Sequence, residues 1–196
     1  FDDTAKSSQG ITFAAVTTVG GTGTISNVAG SFADNTLVSA TSGIDYAGFT
    51  GVTGAGTALT GMNGSFGDTT RISAASAVNY TGFALATVAG TGTALTGVAT
   101  SFNDSTRVSG SGINYSGLGG LATVAGDGTA DVTNTASFAL TGPNAGTGAS
   151  GIAYSAFDAA SNTTAVTGAV GFDDTAKSSQ GITFAAVTTV GGTGTI

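Results

Sequence analysis

A recurring aspartate gives the sequence its first candidate for chemistry. An Asp lies two residues after a Phe in a motif that reads SFADNTLVS, SFGDTTRIS, SFNDSTRVS and, twice, FDDTAKSS. The carboxylates in this column belong to Asp3, Asp34, Asp68, Asp104 and Asp174. Several oxygen ligands are what Ca²⁺ requires in proteins. Asp34, Asp68 and Asp104 are therefore candidate metal ligands, and Ca²⁺ is the one cofactor left open.

We favour a structural role for the same carboxylates. Asp side chains cap turns by accepting backbone N–H bonds, and a nearby cation stabilises their charge. Lys6, Arg71 and Arg107 lie three positions after Asp3, Asp68 and Asp104. Leu140 takes the Asp position in the fourth unit, and Leu37 takes the basic position in the first. The column is thus expected to support turns.

Two glycine-rich motifs suggest ligands but lack the rest of the pattern. GDGTADVTN, with Asp127 and Asp131, is similar to Ca²⁺-binding nonapeptide repeats, whereas the equivalent segments GAGTALTG and GTGTALTG carry no acid. GAGTALTG also matches part of a dinucleotide fingerprint, but no helix is predicted to follow it. Neither motif predicts a cofactor site.

Catalysis has little support in the composition. The chain contains no His, Cys or Glu, so an enzyme would depend on Asp, Ser, Thr, Tyr, Lys or Arg. Its Asp and Arg residues recur with the repeat, whereas a catalytic site is singular. We therefore predict that the protein is not an enzyme. The enzyme that we keep as an alternative is a solenoid polysaccharide lyase.

Charge and composition exclude several partners. Four Lys and Arg against eleven acidic residues give a net charge of −7, which disfavours nucleic acid and anionic membrane surfaces. No apolar run is long enough to span a bilayer. Strong helix formers are scarce and Thr, Val, Ile and Phe are frequent, so the chain is expected to be strand and turn throughout.

The chain repeats itself on two scales. Residues 1–25 and 172–196 are identical, so residues 1–171 form one block and residues 172–196 begin a second. Within the block, the motif GITFAAV and its relatives GIDYAGF, AVNYTGF, GINYSGL and GIAYSAF define units of about 34 residues. The units start near residues 10, 43, 77, 112, 151 and 181. The duplication predicts a single continuous segment of a longer tandem array.

All fifteen aromatic residues fall into three columns of this repeat. The first column is Phe13, Tyr46, Tyr80, Tyr115, Tyr154 and Phe184. The second is Phe49, Phe83 and Phe157. The third is Phe1, Phe32, Phe66, Phe102, Phe138 and Phe172. In each motif of the first column an Ile or Val precedes the ring by two residues, so both side chains face one side of a strand, and the residue between them faces outward.

These columns predict an all-β, parallel β-solenoid of about five to six stacked coils, each of about 34 residues. Repeating units that cannot bury an apolar face alone do so by stacking on their neighbours. We expect like rings to lie over like rings about 4.8 Å apart. Two smaller coils per unit and a chain of β-sandwich modules are the alternatives.

The motifs G-I-x-Y-[ST]-G-F and S-F-x-D-[ST]-T-x-V resemble the strand repeats of giant bacterial surface proteins and filamentous-haemagglutinin-like adhesins. The stretch SFALTGPNAGTGASGIAYSAF carries the nearest resemblance. This resemblance implies a secreted, extracellular or cell-surface protein that forms long parallel β-helices.

We therefore expect a structural segment of a bacterial extracellular fibre, sheath or adhesin stalk, extended by tandem repeats and able to self-associate or bundle laterally. The alternative is an adhesin module that binds glycans or surfaces through outward residues such as Asp45, Asn79 and Asn114. No nucleic-acid partner and no membrane insertion is expected.

Overall fold

A computed structural model describes all 196 residues as strands and turns. It contains no helix long and apolar enough to cross a membrane. The chain divides into two compact units. The first comprises Phe1–Thr93 and Ile113–Gly120, and the second comprises Ala94–Gly112 and Leu121–Ile196.

The first unit is built from parallel ladders with short antiparallel hairpins beside them. Its strands are β1 Ser7–Ser8, β2 Ile11–Thr12, β3 Thr18–Gly20, β4 Thr24–Val28, β5 Ser31–Ala33, β6 Val38–Ser39, β7 Asp45–Ala47, β8 Gly51–Gly54, β9 Ala58–Met62, β10 Ser65–Gly67, β11 Asn79–Thr81 and β12 Thr87–Gly90. One ladder joins strands β4, β8 and β11, a second joins β5, β9 and β12, and a third joins β3 and β7. The hairpins are β1–β2 and β5–β6–β7.

The second unit has the same organisation. Its strands are β13 Ala94–Val98, β14 Ser101–Asn103, β15 Val108–Ser109, β16 Thr123–Thr133, β17 Ser137–Gly142, β18 Ala145–Gly148, β19 Ala153–Ser161, β20 Ala165–Ala169, β21 Ser178–Ser179, β22 Ile182–Phe184 and β23 Thr189–Gly192. Parallel ladders join β13, β16, β19 and β22, and also β17, β20 and β23, while β14–β15, β17–β18–β19 and β21–β22 are antiparallel. Stacked parallel strands of this kind form a β-solenoid, so the predicted fold class is confirmed.

The register of the ladders differs from the period of the sequence. Val52 pairs with Ile25 on one side and with Tyr80 on the other. These partners are closer along the chain than equivalent positions of successive sequence units, so one turn of the solenoid is shorter than one unit. Tyr80 lies beside Val52 rather than over Tyr46, so the expectation that like rings lie over like rings is wrong.

The rings instead interleave, with the Phe of one motif beside the Tyr of another. Tyr46 lies between Phe1 and Phe32, with ring centroids 5.8 and 6.4 Å away, and Phe32 also contacts Tyr80 at 6.0 Å. Edge and tilted contacts of this kind suit the ring quadrupole better than face-to-face stacks. In the first and third columns every ring except Phe1 and Phe13 is buried, and Phe13 is 40% exposed.

The turn after the Phe-x-Asp motif is closed by a side-chain oxygen of the residue before the recurring Asp where that residue has one, as Asp2, Asn103 and Asp173 do. Asp2 Oδ1 accepts the Ala5 N–H at 2.8 Å, and Asn103 Oδ1 accepts the Thr106 N–H at 3.0 Å. The turn ends in a left-handed residue, such as Lys6 at φ 47° or Arg107 at φ 57°. The basic position of the motif is therefore a turn position with positive φ.

The duplicated sequence provides a matched pair for testing ring burial. Phe184 is 2% exposed and Phe13 is 40% exposed, although both stand in the same 25-residue sequence. Phe184→Ala is expected to lower the free energy of unfolding by about 3–5 kcal/mol, because it leaves a cavity. Phe13→Ala is expected to cost less than about 2 kcal/mol, because much of its ring is already in water. Urea unfolding of both variants checks this, and equal losses would contradict the described burial.

Candidate functional site

The recurring aspartates are buried acceptors for hydroxyl groups of a later hairpin. The Asp34 side chain is 1% exposed. Its Oδ1 accepts the Tyr80 hydroxyl at 2.5 Å and the Ser76 hydroxyl at 2.5 Å, and its Oδ2 accepts the Ser73 hydroxyl at 3.0 Å. We call this carboxylate with its hydroxyl donors a junction cluster. It joins residues 39 to 46 positions apart in the chain.

The same junction cluster recurs. Asp3 accepts hydroxyl bonds from Ser39, Ser42 and Tyr46. Asp68 accepts the Tyr115 hydroxyl at 2.5 Å. Asp104 accepts the Tyr154 hydroxyl at 2.5 Å together with the hydroxyl and the N–H of Ser150. All four carboxylates are 3% exposed or less. A buried carboxylate is costly unless hydrogen bonds replace its water, and these donors supply them.

Each tyrosine also contacts the Phe that precedes its aspartate partner. The Tyr154 ring lies 6.1 Å from Phe102 while its hydroxyl binds Asp104, and Tyr46 repeats this with Phe1 and Asp3. The Phe-x-Asp motif therefore offers an apolar ring and a hydrogen-bond acceptor to the same side chain. A Tyr side chain matches both because its ring is apolar and its tip is a donor.

Burial and the aspartate charge keep the tyrosines protonated. Desolvation raises the pKa of Tyr80, and the charge of Asp34 raises the pKa further. The pKa values of Tyr46 and Tyr154 are raised by the same causes, with Asp3 and Asp104 as the respective partners. A protonated hydroxyl can donate a hydrogen bond, so the bonds from the tyrosines to the aspartates persist through the neutral range of pH.

In one of the repeated motifs a Leu replaces the Asp, and the ring that contacts the Phe of that motif has no hydroxyl. Leu140 occupies the Asp position of the motif that begins at Phe138 and is 7% exposed. The ring that lies 5.9 Å from Phe138 belongs to Phe184, which stands at the Tyr position of its own motif. Removing both partners of a buried hydrogen bond avoids an unsatisfied group. The chain thus contains a polar and an apolar form of the same junction.

Lys6 and Arg107 form no ion pair with Asp3 and Asp104, the aspartates three positions before them. The ion pair in the structure joins Lys177 Nζ to Asp174 Oδ1 at 2.6 Å, on the surface. Arg71 Nη1 instead donates to the Phe83 carbonyl at 3.3 Å. The expectation that Asp3 and Asp104 cap their own turns is therefore wrong, because the turn bonds in these two motifs go to the side chains of Asp2 and Asn103.

The candidate Ca²⁺ ligands are not gathered into one site. The structure contains no group of three or more acidic side chains arranged to hold a metal ion. Both oxygens of Asp34 already accept hydroxyl bonds. The geometry of Asp34 and Asp104 is that of a polar joint between hairpins.

The sequence did not reveal a pair of carboxylates in the second unit. Asp131 pairs with Ala159 across the ladder and lies next to Asp158 in space. Burial raises the pKa of Asp131, and the Asp158 charge raises it further. Asp127, by contrast, accepts the Thr129 N–H at 2.9 Å, and this bond lowers its pKa. The segment that resembled a Ca²⁺ repeat thus contains a turn and a carboxylate pair, not a shared ligand set.

The outward residues proposed for glycan binding do not form a row. Asp45 and Asn79 are exposed, and Asn114 is half-buried. Asn79 pairs with Gly51 and Asp45 pairs with Thr18, so no two of these positions lie next to each other across the ladders. A repeated binding face would require them to be neighbours.

Comparison of the chain with protein-family models, with curated proteins and with solved structures finds no match. The functional argument therefore depends on the junction clusters.

A double-mutant cycle tests the junction cluster. Asp34→Leu and Tyr80→Phe should each destabilise the protein, by about 1–3 kcal/mol for each buried polar group left without a partner. The loss in free energy of unfolding should be about 1–3 kcal/mol smaller for the double variant than the sum of the two single losses. The reason is that Leu and Phe then replace both members of the polar pair, as Leu140 and Phe184 do at the apolar junction.

The control combines Tyr80→Phe with Asp45→Ala, because Asp45 is exposed and belongs to another hairpin. Those two changes should add within about 0.5 kcal/mol in urea unfolding. Additivity of the Asp34 and Tyr80 variants would show that their hydrogen bond does not stabilise the fold.

Proposed function

We propose that the chain is a structural segment of a secreted bacterial extracellular fibre, sheath or adhesin stalk, extended by tandem repeats of the block. The observation that supports this role most directly is the recurrence of one junction cluster at Asp3, Asp34, Asp68 and Asp104. In this role the protein must resist the separation of successive turns. The junction cluster provides that resistance at each of the four aspartates.

The distribution of polar groups supports a load-bearing role. The carboxylates that hold the hairpins together are buried, where salt screens their interactions little. The parallel ladders add backbone hydrogen bonds between turns at regular spacing. A segment joined in this way keeps its structure when ionic strength changes, which suits an extracellular support.

Mechanical unfolding tests the proposal. The chain has no cysteine, so Cys residues added at positions 1 and 196 give unique attachment points for optical tweezers. The wild-type chain should resist extension and then yield in repeated steps as turns separate. Asp34→Leu should lower the force of one step, because it removes one junction cluster, while Asp45→Ala should leave every step unchanged.

The competing role is surface recognition, and the same protein tests it. Extension without resistance, together with saturable glycan binding that Asp45→Ala, Asn79→Ala and Asn114→Ala abolish, would overturn the structural proposal in favour of an adhesin module.

A further inference from the structure

One joint between strands differs from its equivalents in the repeat. Two residues join β4 to β5, β9 to β10 and β13 to β14. They are Ala29-Gly30, Asn63-Gly64 and Ala99-Thr100, respectively. Asn63-Gly64 is also the one Asn-Gly dipeptide in the chain. Its asparagine therefore does not belong to the repeated structure, because the same joint forms elsewhere with alanine at that position.

The joint at Asn63 is open to solvent, and its backbone is unprotected on one side. Asn63 and Gly64 are exposed, whereas Met62 and Phe66 on either side of them are buried. Gly64 has φ +79°, a left-handed conformation that glycine adopts without strain. The Gly64 N–H donates no hydrogen bond within the protein, while the Gly64 carbonyl accepts the N–H of Thr93 at 3.0 Å. The Asn63 amide thus precedes a backbone nitrogen that has neither a hydrogen-bond partner nor a side chain to shield it.

We propose that Asn63 is a site of spontaneous modification, at which the chain converts its own asparagine to aspartate and isoaspartate without an enzyme. The Gly64 nitrogen attacks the Asn63 Cγ atom, so that a Cγ–N bond forms and the Cγ–Nδ2 bond breaks. Nδ2 leaves as ammonia, together with the proton of the Gly64 nitrogen. Water then opens the cyclic imide: cleavage at Cγ gives aspartate, and cleavage at the main-chain carbonyl gives isoaspartate. Water is the one co-reactant that the two steps consume.

A neighbouring asparagine shows why Asn63 is singled out. Asn35 and Asn63 are both exposed, and they line the same cleft of about 330 Å³ in the first unit. Asn35 is followed by Thr36, whose branched side chain crowds the backbone and restricts its conformation. Gly64 has no side chain and permits backbone conformations that are closed to other residues, so it can reach the ring geometry. The reaction should therefore occur at Asn63 and not at Asn35.

The reaction adds a negative charge next to a junction cluster. Asp34 lines the same cleft as Asn63, and its carboxylate accepts the hydroxyls of Ser73, Ser76 and Tyr80. Both products have a carboxylate at residue 63, and the residues that line the cleft include no Lys or Arg to offset it. The new charge therefore repels the Asp34 carboxylate.

The isoaspartate product also lengthens the main chain at a contact between turns. Its backbone passes through Cβ and Cγ, which adds one atom between residues 63 and 64. The carbonyls of Met62 and Gly64 accept three N–H bonds from residues 91–93, at 2.9 to 3.0 Å. The longer main chain displaces one of these carbonyls or the buried Met62 side chain. The isoaspartate form should therefore hold residues 91–93 less firmly than the unmodified chain does.

Mass spectrometry of the purified 196-residue chain tests the reaction. After incubation at alkaline pH, fragmentation of proteolytic peptides should locate the mass increase of amide-to-acid conversion at residue 63, while Asn35 keeps its amide. Conversion should become faster as the pH is raised, because hydroxide removes the proton from the attacking Gly64 nitrogen. An isoaspartate-specific methyltransferase should label the incubated chain and leave the fresh chain unlabelled.

Two variants copy the other joints of the chain and serve as controls. Asn63→Ala reproduces Ala29-Gly30, and urea unfolding of this variant should be the same before and after incubation. Gly64→Thr keeps the asparagine and supplies the residue found at Thr100, which has φ 69°, so conversion should be suppressed. An Asn63 that keeps its amide would overturn the proposal. Equal conversion of Asn35 and Asn63, or wild-type conversion in Gly64→Thr, would overturn it as well.

The modification is independent of the proposed structural role, because the chemistry requires the Asn63-Gly64 joint alone. Its test measures a covalent change rather than mechanical resistance. A chain that resists force but keeps the Asn63 amide would refute the modification alone, and a chain that converts Asn63 but yields without force would refute the structural role alone. If both hold, the contact between two turns of the first unit weakens as the protein ages.

Discussion

Every junction cluster depends on the cost of removing a carboxylate from water. Asp3, Asp34 and Asp104 are almost fully buried, and each is retained because hydroxyl donors from a later hairpin replace its solvent. The donors come from residues 36 to 50 positions later in the chain, so only the correct stacking of hairpins brings them together. A slip in register would leave an unpaired buried charge, which costs several kcal/mol. The clusters therefore specify the arrangement of turns as well as stabilise it.

The apolar junction shows that the carboxylate is one of two solutions to the same packing problem. Leu140 and Phe184 keep the ring contact with Phe138 and omit both polar groups. Because neither member is left without its partner, the junction avoids the penalty that a single replacement would incur. Gly168 lies in strand β20, which pairs with the strand that contains Leu140, and has φ +70°; a Cβ there would lie 2.6 Å from the Leu140 carbonyl oxygen. Glycine permits this close approach and this backbone conformation.

The sequence predicted the repeat, the fold class and the recurring Asp and aromatic positions, because local spacing records strand alternation and turns. It did not predict which positions meet. The partner of Asp34 is Tyr80, not a residue of its own motif, and that choice depends on the ladder in which Val52 lies between Ile25 and Tyr80. The period of the sequence unit, about 34 residues, did not indicate the shorter separation between partners in the ladder. The pair Leu140 and Phe184 was visible in the sequence as two departures from the motif, but only the register shows that they are one junction.

Alkaline titration tests the central claim, that tyrosine hydroxyls bound to buried carboxylates hold the turns together. Burial and the aspartate charges raise the pKa values of Tyr46, Tyr80 and Tyr154 above the ordinary value of 10.0. Since the folded state favours the protonated tyrosine, this contribution to stability is complete below pH 10 and is lost as the pH rises above it. Tyrosinate absorbance and far-UV circular dichroism, recorded together, should therefore change in one transition above pH 10. Ionisation of all four tyrosines near pH 10, in a chain that keeps its β-sheet spectrum, would contradict the account.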